Sequence, residues 1–275
     1  MTMRVLFWSP SFWPRIGGAE VLAARLLPAL RDRGHEFVVV ADERPDSAPD
    51  HAEYAGIPIF RAPFLGVLAE RNVDHLMRLQ RMLGALKRDF QPDLVHNYFL
   101  GPSALFLQTT AKVHPAPCLV TLHLDLGASG HHLPVGPETL GRSTLLGADW
   151  VVACSAAVLG EARRLLPEIV PFSSAIPNAL DCPALAPEPL PFDPPRLLCL
   201  GRLARQKGFD LAVQVLPELL SRFPSVRLIV AGDGDERAAL QAQAATLGVV
   251  DAVDFLGWVP PDDVPTLINT CTVLL

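Results

Sequence analysis

Long hydrophobic runs are missing from this sequence, although half of its 275 residues are hydrophobic. No apolar stretch approaches the roughly 18 residues that a transmembrane helix needs. The apolar run from Val5 to Trp8 is also too short for the core of a signal peptide. We therefore expect a cytoplasmic chain, and its length is sufficient for two domains with separate cores.

Clustered cysteines and an excess of positive charge are lacking as well. The five cysteines are odd in number, show no C-x-x-C spacing, and in several cases lie within apolar runs. This pattern favours buried thiols over disulfides or a zinc site. The net charge of −6 argues against nucleic acid as a partner. Any anionic ligand must then be bound by local basic loops.

One such basic loop follows a short apolar run, Leu197 to Leu200, which predicts a buried strand. A helix is predicted from about Phe209 to Arg222, and the cations Arg202, Arg205 and Lys207 lie between the two elements. The carboxyl edge of a parallel sheet, next to a helix N-terminus, suits an anion such as a diphosphate. From this loop alone, a solvated turn is the alternative.

Predicted strands and helices alternate through the whole chain, which indicates two doubly wound α/β domains. The stretch 182–195 contains six prolines and reads as a semi-rigid linker. We therefore expect a first domain at 1–181 and a second domain at 196–275.

The loop from Ser9 to Ala19 follows the first predicted strand and contains Gly17 and Gly18, where the backbone can approach a ligand closely. The loop is not G-x-G-x-x-G, so a dinucleotide fingerprint is absent. Asp42 nevertheless ends the second predicted strand about where a Rossmann enzyme holds a ribose. A nicotinamide enzyme therefore remains a minor alternative.

Two further predicted strands each end in a histidine, His96 and His123. A single histidine in such a place is usually structural, but two at strand carboxyl ends in one half of the chain suggest a wall of a ligand cleft. His131 and His132 lie in a loop with glycine and proline and have no carboxylate or cysteine at ligand spacing. We interpret them as exposed residues that bind no metal.

A predicted helix from about Asn72 to Phe90 has one apolar stripe and, on the opposite face, Arg78, Arg81 and Arg88. An ordinary core-facing helix explains this pattern. The alternative is a surface that docks on anionic lipid at the inner face of the membrane.

The D-x-D triplet from Asp233 to Asp235 could in principle hold a divalent metal. It spans a predicted turn from strand to helix, where Asp235 and Glu236 complement the helix N-terminus. We therefore expect no metal here.

Taken in order, these motifs resemble the retaining glycosyltransferases of the GT-B fold, glycosyltransferase family 4 with glycosyl transferases group 1. The resemblance covers essentially the whole chain. It implies two Rossmann-like domains that face each other across a cleft, the second of them incomplete. The segments that carry the resemblance are Gly17-Gly18 before a Glu-headed helix, Thr121 to His123, Pro177 to Asp181, Gly201 to Leu203 with Lys207-Gly208, Gly232 to Gly234, and Val253 to Gly257.

The resemblance also implies roles for individual residues. Arg202 and Lys207 would hold the donor diphosphate, His123 would lie close to the transferred sugar as the catalytic candidate, and Gly17 and Gly18 would lie beside the leaving phosphate and the acceptor. Arg205 has no such role. The remaining candidates for the cleft are His96, Asn178, Gly232, Gly234, Glu236 and Leu256.

The chain departs from the family pattern in three respects. Leu124 stands where an acid usually follows the histidine, and Ala179 stands where glycine is usual. The family's pair of glutamates, separated by seven residues, should follow the last predicted strand, Thr272 to Leu275, but neither position exists here. We therefore expect a chain truncated at its C-terminus.

The reaction implied is transfer of a hexosyl unit from a nucleoside diphosphate sugar to a glycan, lipid or small-molecule acceptor. Configuration would be retained, and no cofactor or metal would be required. One alternative is a non-catalytic truncated or split chain that binds nucleotide weakly or needs a partner chain to complete its second domain. Another is a sugar-nucleotide epimerase or a phosphorylase of similar architecture.

Overall fold

The computed structural model describes residues 2–14, 17–42, 53–124, 126, 135–179 and 185–275. They form two compact units, residues 1–180 and 181–275, which we call the first unit and the second unit. Both are mixed α/β structures, which confirms the predicted fold class.

Helices and strands alternate along the first unit, as predicted. Its strands are β1 (Arg4–Trp8), β2 (Glu36–Asp42), β3 (Glu53–Tyr54), β4 (Ile57–Ala62), β5 (Leu94–Asn97), β6 (Cys118–Leu122), β7 (Trp150–Ala153) and β8 (Ser173–Ala175). Its helices are α1 (Gly18–Arg31), α2 (Phe64–Glu70), α3 (Val73–Phe90), α4 (Ala104–Thr109), α5 (Leu140–Leu146) and α6 (Ala156–Leu165), with a 3₁₀ helix at Pro167–Phe172.

The strands of the first unit form one sheet in the order β3-β4-β2-β1-β5-β6-β7-β8. All neighbours pair in parallel except β3 and β4, which form an antiparallel hairpin. Parallel strands end at the same edge of a sheet, so the loops that follow β1, β5, β6 and β7 emerge side by side.

The central strand β1 is apolar on both faces because helices cover both sides of the sheet. Phe7 packs with Leu27 of α1 on one face. Leu6 packs with Leu79 and Leu83 of α3 on the other. The apolar stripe predicted for α3 is therefore confirmed as its core-facing side.

One charged side chain departs from the predicted pattern of α3. Lys87 is only 2% exposed, and its Nζ donates a hydrogen bond to the carbonyl oxygen of Thr110 at 3.0 Å. Burial lowers the pKa of Lys87, and nearby Cys118 opposes this. The long aliphatic stem of a lysine can lie in a core when its amine finds an acceptor, which periodicity alone does not indicate.

The helices α3 and α6 each begin at a side-chain cap. The Asn72 side chain accepts a hydrogen bond from the backbone N–H of Asp74 at 2.9 Å. The Ser155 hydroxyl accepts one from the backbone N–H of Val158 at 3.2 Å, at the start of α6. Such caps satisfy N–H groups that have no partner within the helix.

The second unit repeats the alternating pattern. Its elements are β9 (Arg196–Leu200), α7 (Phe209–Arg222), β10 (Arg227–Ala231), α8 (Arg237–Thr246), β11 (Val253–Gly257), α9 (Val264–Asn269) and β12 (Val273–Leu274), with 3₁₀ helices at Arg205–Lys207 and Val250–Ala252. The sheet order is β11-β10-β9-β12, and every pair is parallel. The strands predicted at Leu197 to Leu200 and at Thr272 to Leu275 are confirmed as β9 and β12.

The proline-rich stretch before β9 is mostly exposed but hydrogen-bonded to the end of α9 within the second unit. The Glu188 backbone N–H donates to Oδ1 of Asn269 at 3.2 Å. The Nδ2 group of Asn269 donates to the carbonyl oxygen of Ala186 at 3.0 Å. Residues 182–184 of the predicted linker lie outside the described residues. The linker and its boundaries remain a prediction.

Candidate functional site

Three of the loops predicted to carry function emerge at one edge of the first sheet. The loop with Gly17 and Gly18 follows β1, the segment with His96 ends β5, and His123 follows β6. These strands are consecutive in the sheet order β1-β5-β6. The topology therefore brings together residues that lie more than a hundred positions apart in the chain.

The two histidines differ in their hydrogen bonding. His96 Nε2 lies 2.8 Å from the hydroxyl oxygen of Thr121 on the neighbouring strand β6. Neither ring nitrogen of His123 forms a hydrogen bond with a described residue, although both are buried. Aromatic rings surround His123 instead, with centroids at 4.2 Å for Tyr98 and 5.4 Å for Phe99. His123 shares this lack of a partner with Asn97, the buried last residue of β5, whose side-chain amide also forms no hydrogen bond with a described residue.

Burial keeps both histidines neutral near pH 7. Desolvation, with a smaller contribution from His123, lowers the pKa of His96 to about 4. Desolvation also lowers the pKa of His123 to about 4, while the carboxylate of Glu20 and the backbone of Tyr98 act in the opposite direction. A neutral imidazole can donate one hydrogen bond and accept another.

Glu20 is a residue of this edge that the sequence analysis did not select. It is 9% exposed in the first turn of α1, and its carboxylate accepts a hydrogen bond from the hydroxyl of Ser11. A Cβ atom on Gly17 would lie 2.3 Å from its Oε2, whereas one on Gly18 would meet nothing within 4 Å. A side chain at position 17 would therefore displace the Glu20 carboxylate from its present position, whereas Gly18 leaves open space at the start of the helix.

Other residues of the first unit that the sequence singled out lie beyond the end of β8 or outside the described residues. Asn178 is exposed beyond the end of β8. His131, His132 and Asp181 are not among the residues described. Tyr98 and Cys154, which the sequence analysis missed, do lie at the edge: the Cys154 thiol donates to the carbonyl oxygen of His123 at 3.4 Å. A strand end followed by a tyrosine was the only signal for Tyr98.

In the second unit, the loops after β9 and β10 are held together by their backbones. Gly201 N–H donates to the Ala231 carbonyl at 2.9 Å, and Leu203 N–H donates to the Asp233 carbonyl at 2.9 Å. The Leu203 carbonyl accepts from the Glu236 N–H at 3.1 Å. The predicted phosphate loop is thus fixed to the turn that contains Gly232 and Gly234.

The cations of this loop are free for a ligand. Arg202, Arg205 and Lys207 are exposed, and none of the three forms an ion pair with a described residue. A Cβ atom on Gly201 would lie 4.0 Å from Cε of Lys207, so the lysine stem lies near the start of the loop. Gly208, with φ +66°, then turns the chain into α7.

The D-x-D turn has a structural explanation. Asp233 Oδ1 accepts from the backbone N–H of Gly234 at 2.8 Å, and its Oδ2 lies 3.6 Å from the guanidinium of Arg237. Glu236 is half-buried at the N-terminus of α8. Within the described ranges, no group of three or more histidine, cysteine or acidic residues is arranged to hold a metal ion.

Leu256, the last candidate, lies near the carboxyl end of β11 and is 50% exposed. The following Gly257 accepts a hydrogen bond from Gly232 N–H at 2.7 Å. The edge of the second sheet thus carries the phosphate loop, the glycine turn and this segment as consecutive parts of one hydrogen-bonded structure.

Comparison with protein families identifies the family of proteins to which both units of this chain belong. Residues 16–183 match the model of Glycosyltransferase Family 4, and residues 185–275 match that of Glycosyl transferases group 1. The chain belongs to glycosyltransferase family 4. The predicted recognition of a GT-B glycosyltransferase, and of a transferase enzyme, is confirmed at this level.

Curated relatives of this glycosyltransferase differ in what they act on. One is the 2-deoxystreptamine N-acetyl-D-glucosaminyltransferase of Streptomyces fradiae, 27% identical over 99% of this chain and 74% of that protein. Another is a subunit of the human phosphatidylinositol N-acetylglucosaminyltransferase, 24% identical over 97% of this chain and 55% of that protein. A third is the GDP-mannose-dependent alpha-(1-6)-phosphatidylinositol monomannoside mannosyltransferase of Mycobacterium tuberculosis, 26% identical over 95% of this chain and 69% of that protein. The chain thus spans between about half and three quarters of their lengths.

Solved structures confirm the fold of the glycosyltransferase. A lipopolysaccharide outer core galactosyltransferase in its apo form matches with a TM-score of 0.68 at 18% identity, covering 99% of this chain and 73% of that one. The Anabaena protein HepE, in complex with UDP and glucose, matches with a TM-score of 0.65 at 20% identity and the same coverage. At these identities, the likeness concerns the GT-B fold alone.

Proposed function

We propose that this chain transfers a hexosyl unit from a nucleoside diphosphate sugar to an acceptor, with retention of configuration and without a required metal. The observation that carries the proposal is the phosphate loop, where Arg202 and Lys207 are exposed and form no ion pair with a described residue at the carboxyl edge of a parallel sheet. A relative that is named for its dependence on GDP-mannose supports the same class of donor.

The proposed mechanism is stabilisation of charge on the leaving group. When the bond between the sugar and the phosphate breaks, negative charge grows on the diphosphate. Arg202 and Lys207 would hold this charge through charge-assisted hydrogen bonds, which are stronger than those between neutral groups. The backbone bonds between this loop and residues 231–236 keep the loop in place, so little reorganisation is needed during the reaction.

Nucleotide binding tests the loop directly and does not require a known acceptor. We expect the 275-residue chain to bind UDP, GDP or ADP in a calorimetric titration. Arg202→Ala and Lys207→Ala should each weaken this binding by about tenfold to a hundredfold, as expected for loss of a hydrogen bond between charged groups. Arg205→Ala is the matched control, because it removes the same charge from a residue of the same loop with no assigned role.

Transfer itself requires a second measurement. In an enzyme preparation that transfers sugar, Arg202→Ala or Lys207→Ala should lower kcat/KM by about two orders of magnitude, comparable to the loss of one oxyanion donor. Activity within about threefold of the parent would overturn the assignment. The anomeric configuration of the product, followed by NMR, tests retention, and added EDTA tests the independence from metal. Nucleotide binding without turnover of any donor would instead favour a non-catalytic chain or one that needs a partner.

Acceptor chemistry is the finer part of the proposal. Relatives are named for phosphatidylinositol acceptors and for a small aminocyclitol, so a lipid and a small molecule are the acceptors to test first. Helix α3 offers a surface for the lipid case: Arg78 and Arg81 are exposed, and Val73 and Met77 beside them are 68% and 48% exposed. None of the helices described is both long and apolar enough to cross a membrane.

Vesicle flotation tests this surface. The chain should float with vesicles that contain anionic lipid at low salt, because cations near an anionic surface gain about 1 kcal/mol each. The double variant Arg78→Glu with Arg81→Glu should not float. Arg25→Glu, which changes an exposed arginine of α1, is the control and should behave as the parent. Absence of binding by the parent would remove the lipid surface from the proposal.

A further inference from the structure

Tyr98 is a buried residue that links three parts of the first unit. It follows β5 and is 2% exposed. Its backbone N–H donates to the Trp8 carbonyl at the end of β1 at 2.9 Å, and its hydroxyl donates to the Ala19 carbonyl in the first turn of α1 at 3.3 Å. The residue is thus attached to β1 and to the helix that begins at Gly18.

The ring of Tyr98 also contacts the imidazole of His123. Their centroids are 4.2 Å apart at an interplanar angle of 62°. The ring of Phe7 packs against the Tyr98 ring, with its centroid 4.8 Å from that of the tyrosine. The tyrosine ring is therefore itself held in place by packing. Since the ring nitrogens of His123 form no hydrogen bond of good geometry with a described residue, close packing contributes much of the restraint on the rotation of its ring.

We propose that Tyr98 is a positioning residue, which holds the His123 imidazole in one orientation and ties it to the first turn of α1. The inference rests on the proposed function, in which His123 lies near the transferred sugar. A reacting group misplaced by about 1 Å can lose two orders of magnitude in rate. A rigid aromatic ring anchored at its hydroxyl is suited to prevent such a displacement.

The surroundings of the pair are consistent with this role. Burial raises the pKa of Tyr98 well above its ordinary value, with contributions from the charges of Glu20 and Cys154, so its hydroxyl stays protonated and able to donate. Desolvation lowers the pKa of His123, and the smaller opposing effects of Glu20 and the Tyr98 backbone offset only part of this decrease. The charged and titratable groups that act on the pair therefore come from α1 and from the end of β7.

NMR of the histidine rings tests the proposal on the chain as it is. The His123 signals are assigned by their loss in His123→Gln. Tyr98→Leu removes the ring current and the packing, so the His123 signals should move and broaden. Tyr98→Phe keeps the ring and removes only the hydroxyl, so the signals should keep most of their ring-current shift but broaden as the anchor to Ala19 is lost.

Tyr54 supplies the matched control, because it is the other of the two tyrosines in the chain. It packs on Trp13 at 5.1 Å between ring centroids. Tyr54→Phe and Tyr54→Leu should leave the His123 signals unchanged. If the His123 signals are unchanged in Tyr98→Phe, the tie to α1 is overturned, and this test does not depend on whether Tyr98→Leu folds. If the signals are unchanged in a folded Tyr98→Leu, the whole proposal is overturned.

Kinetics separate positioning from a merely structural role. Tyr98→Phe should lower kcat by about threefold to tenfold, the effect of one hydrogen bond, and leave the KM for the donor unchanged. In a His123→Asn background, the same change should have no further effect, because the residue through which Tyr98 acts is gone. Equal losses in both backgrounds would contradict the proposal. If the parent transfers no sugar from any donor, the proposed function fails, while the NMR experiment still decides on Tyr98.

Discussion

A Cβ atom on Gly232 would lie 1.8 Å from the carbonyl oxygen of Gly201. The loops that follow β10 and β9 therefore touch backbone to backbone, at a distance that only a residue without a side chain permits. Gly232 also has φ +139°, a conformation that other residues rarely adopt. This contact fixes the start of the phosphate loop relative to the adjacent turn.

Gly232→Ala should accordingly destabilise the second unit by at least about 3 kcal/mol, since steric overlap adds to backbone strain. Denaturant unfolding, with hydrogen exchange at β9 and β10 to report on this unit, measures the effect. Gly160→Ala is the control: Gly160 is exposed on α6, with nothing within 4 Å of its Cβ position. That change should add up to about 1 kcal/mol of stability. An unfolding midpoint of Gly232→Ala equal to that of the parent would contradict the contact.

The stability of the first unit should depend on pH through His96. Its pKa is about 4 in the folded chain, against 6.5 for the unfolded one, so between these values the unfolded state binds more protons. Stability should therefore rise from about pH 4 to about pH 6.5 and stay level above that. His96→Gln should reduce the difference in unfolding free energy between pH 4.5 and pH 7 by about 2 kcal/mol.

Urea unfolding followed by tryptophan fluorescence measures this difference, because Trp8, Trp13 and Trp150 lie in the first unit. His75→Gln serves as the control for removing a histidine, since His75 is exposed near the start of α3. A pH profile of His96→Gln that coincides with the parent's would show that His96 is not responsible.

Two cysteines should resist alkylation in the folded chain. Burial raises the pKa of the Cys199 thiol to about 11. Burial and the charge of Asp149 raise the pKa of the Cys118 thiol to about 11, against the opposing effect of Lys87. The thiolate is the reactive form, so at pH 8 iodoacetamide should modify both at least about a hundredfold more slowly than after unfolding in urea. Peptide mass mapping measures the rate of modification at each cysteine. Rapid modification of Cys118 and Cys199 without urea would show that their thiols are not buried as described.

Regular helices and central strands were predictable because local periodicity and burial agree there. The apolar spacing of α3 and the helix from Phe209 to Arg222 were predicted within a residue or two of their observed bounds. The helices α2, α4 and α5 have six or seven residues each, which is too short for a periodic pattern to stand out. The hairpin of β3 and β4 depends on a two-residue strand and was missed for the same reason.

Candidate site residues were predictable where a motif or a strand end marked them, as with Arg202, Lys207 and His123. Glu20 and Tyr98 carried no such mark, because each resembles an ordinary member of a helix or a core. Their relevance comes from contacts across the fold: Tyr98 meets His123 from a neighbouring strand, and Glu20 acts on both from α1. Pairwise contacts of this kind depend on which strands are neighbours.

By itself, the sequence determined the alternation of strands and helices, the basic loop after Leu200, and the likeness to a glycosyltransferase family. These are local properties, set by hydropathy, glycine positions and charge over a few residues. Only the tertiary structure decided that β1, β5 and β6 lie side by side, that Gly232 must approach Gly201, and that Tyr98 packs on His123. Such relations arise when distant segments share one sheet edge, and the free energy of packing that selects them depends on the whole unit.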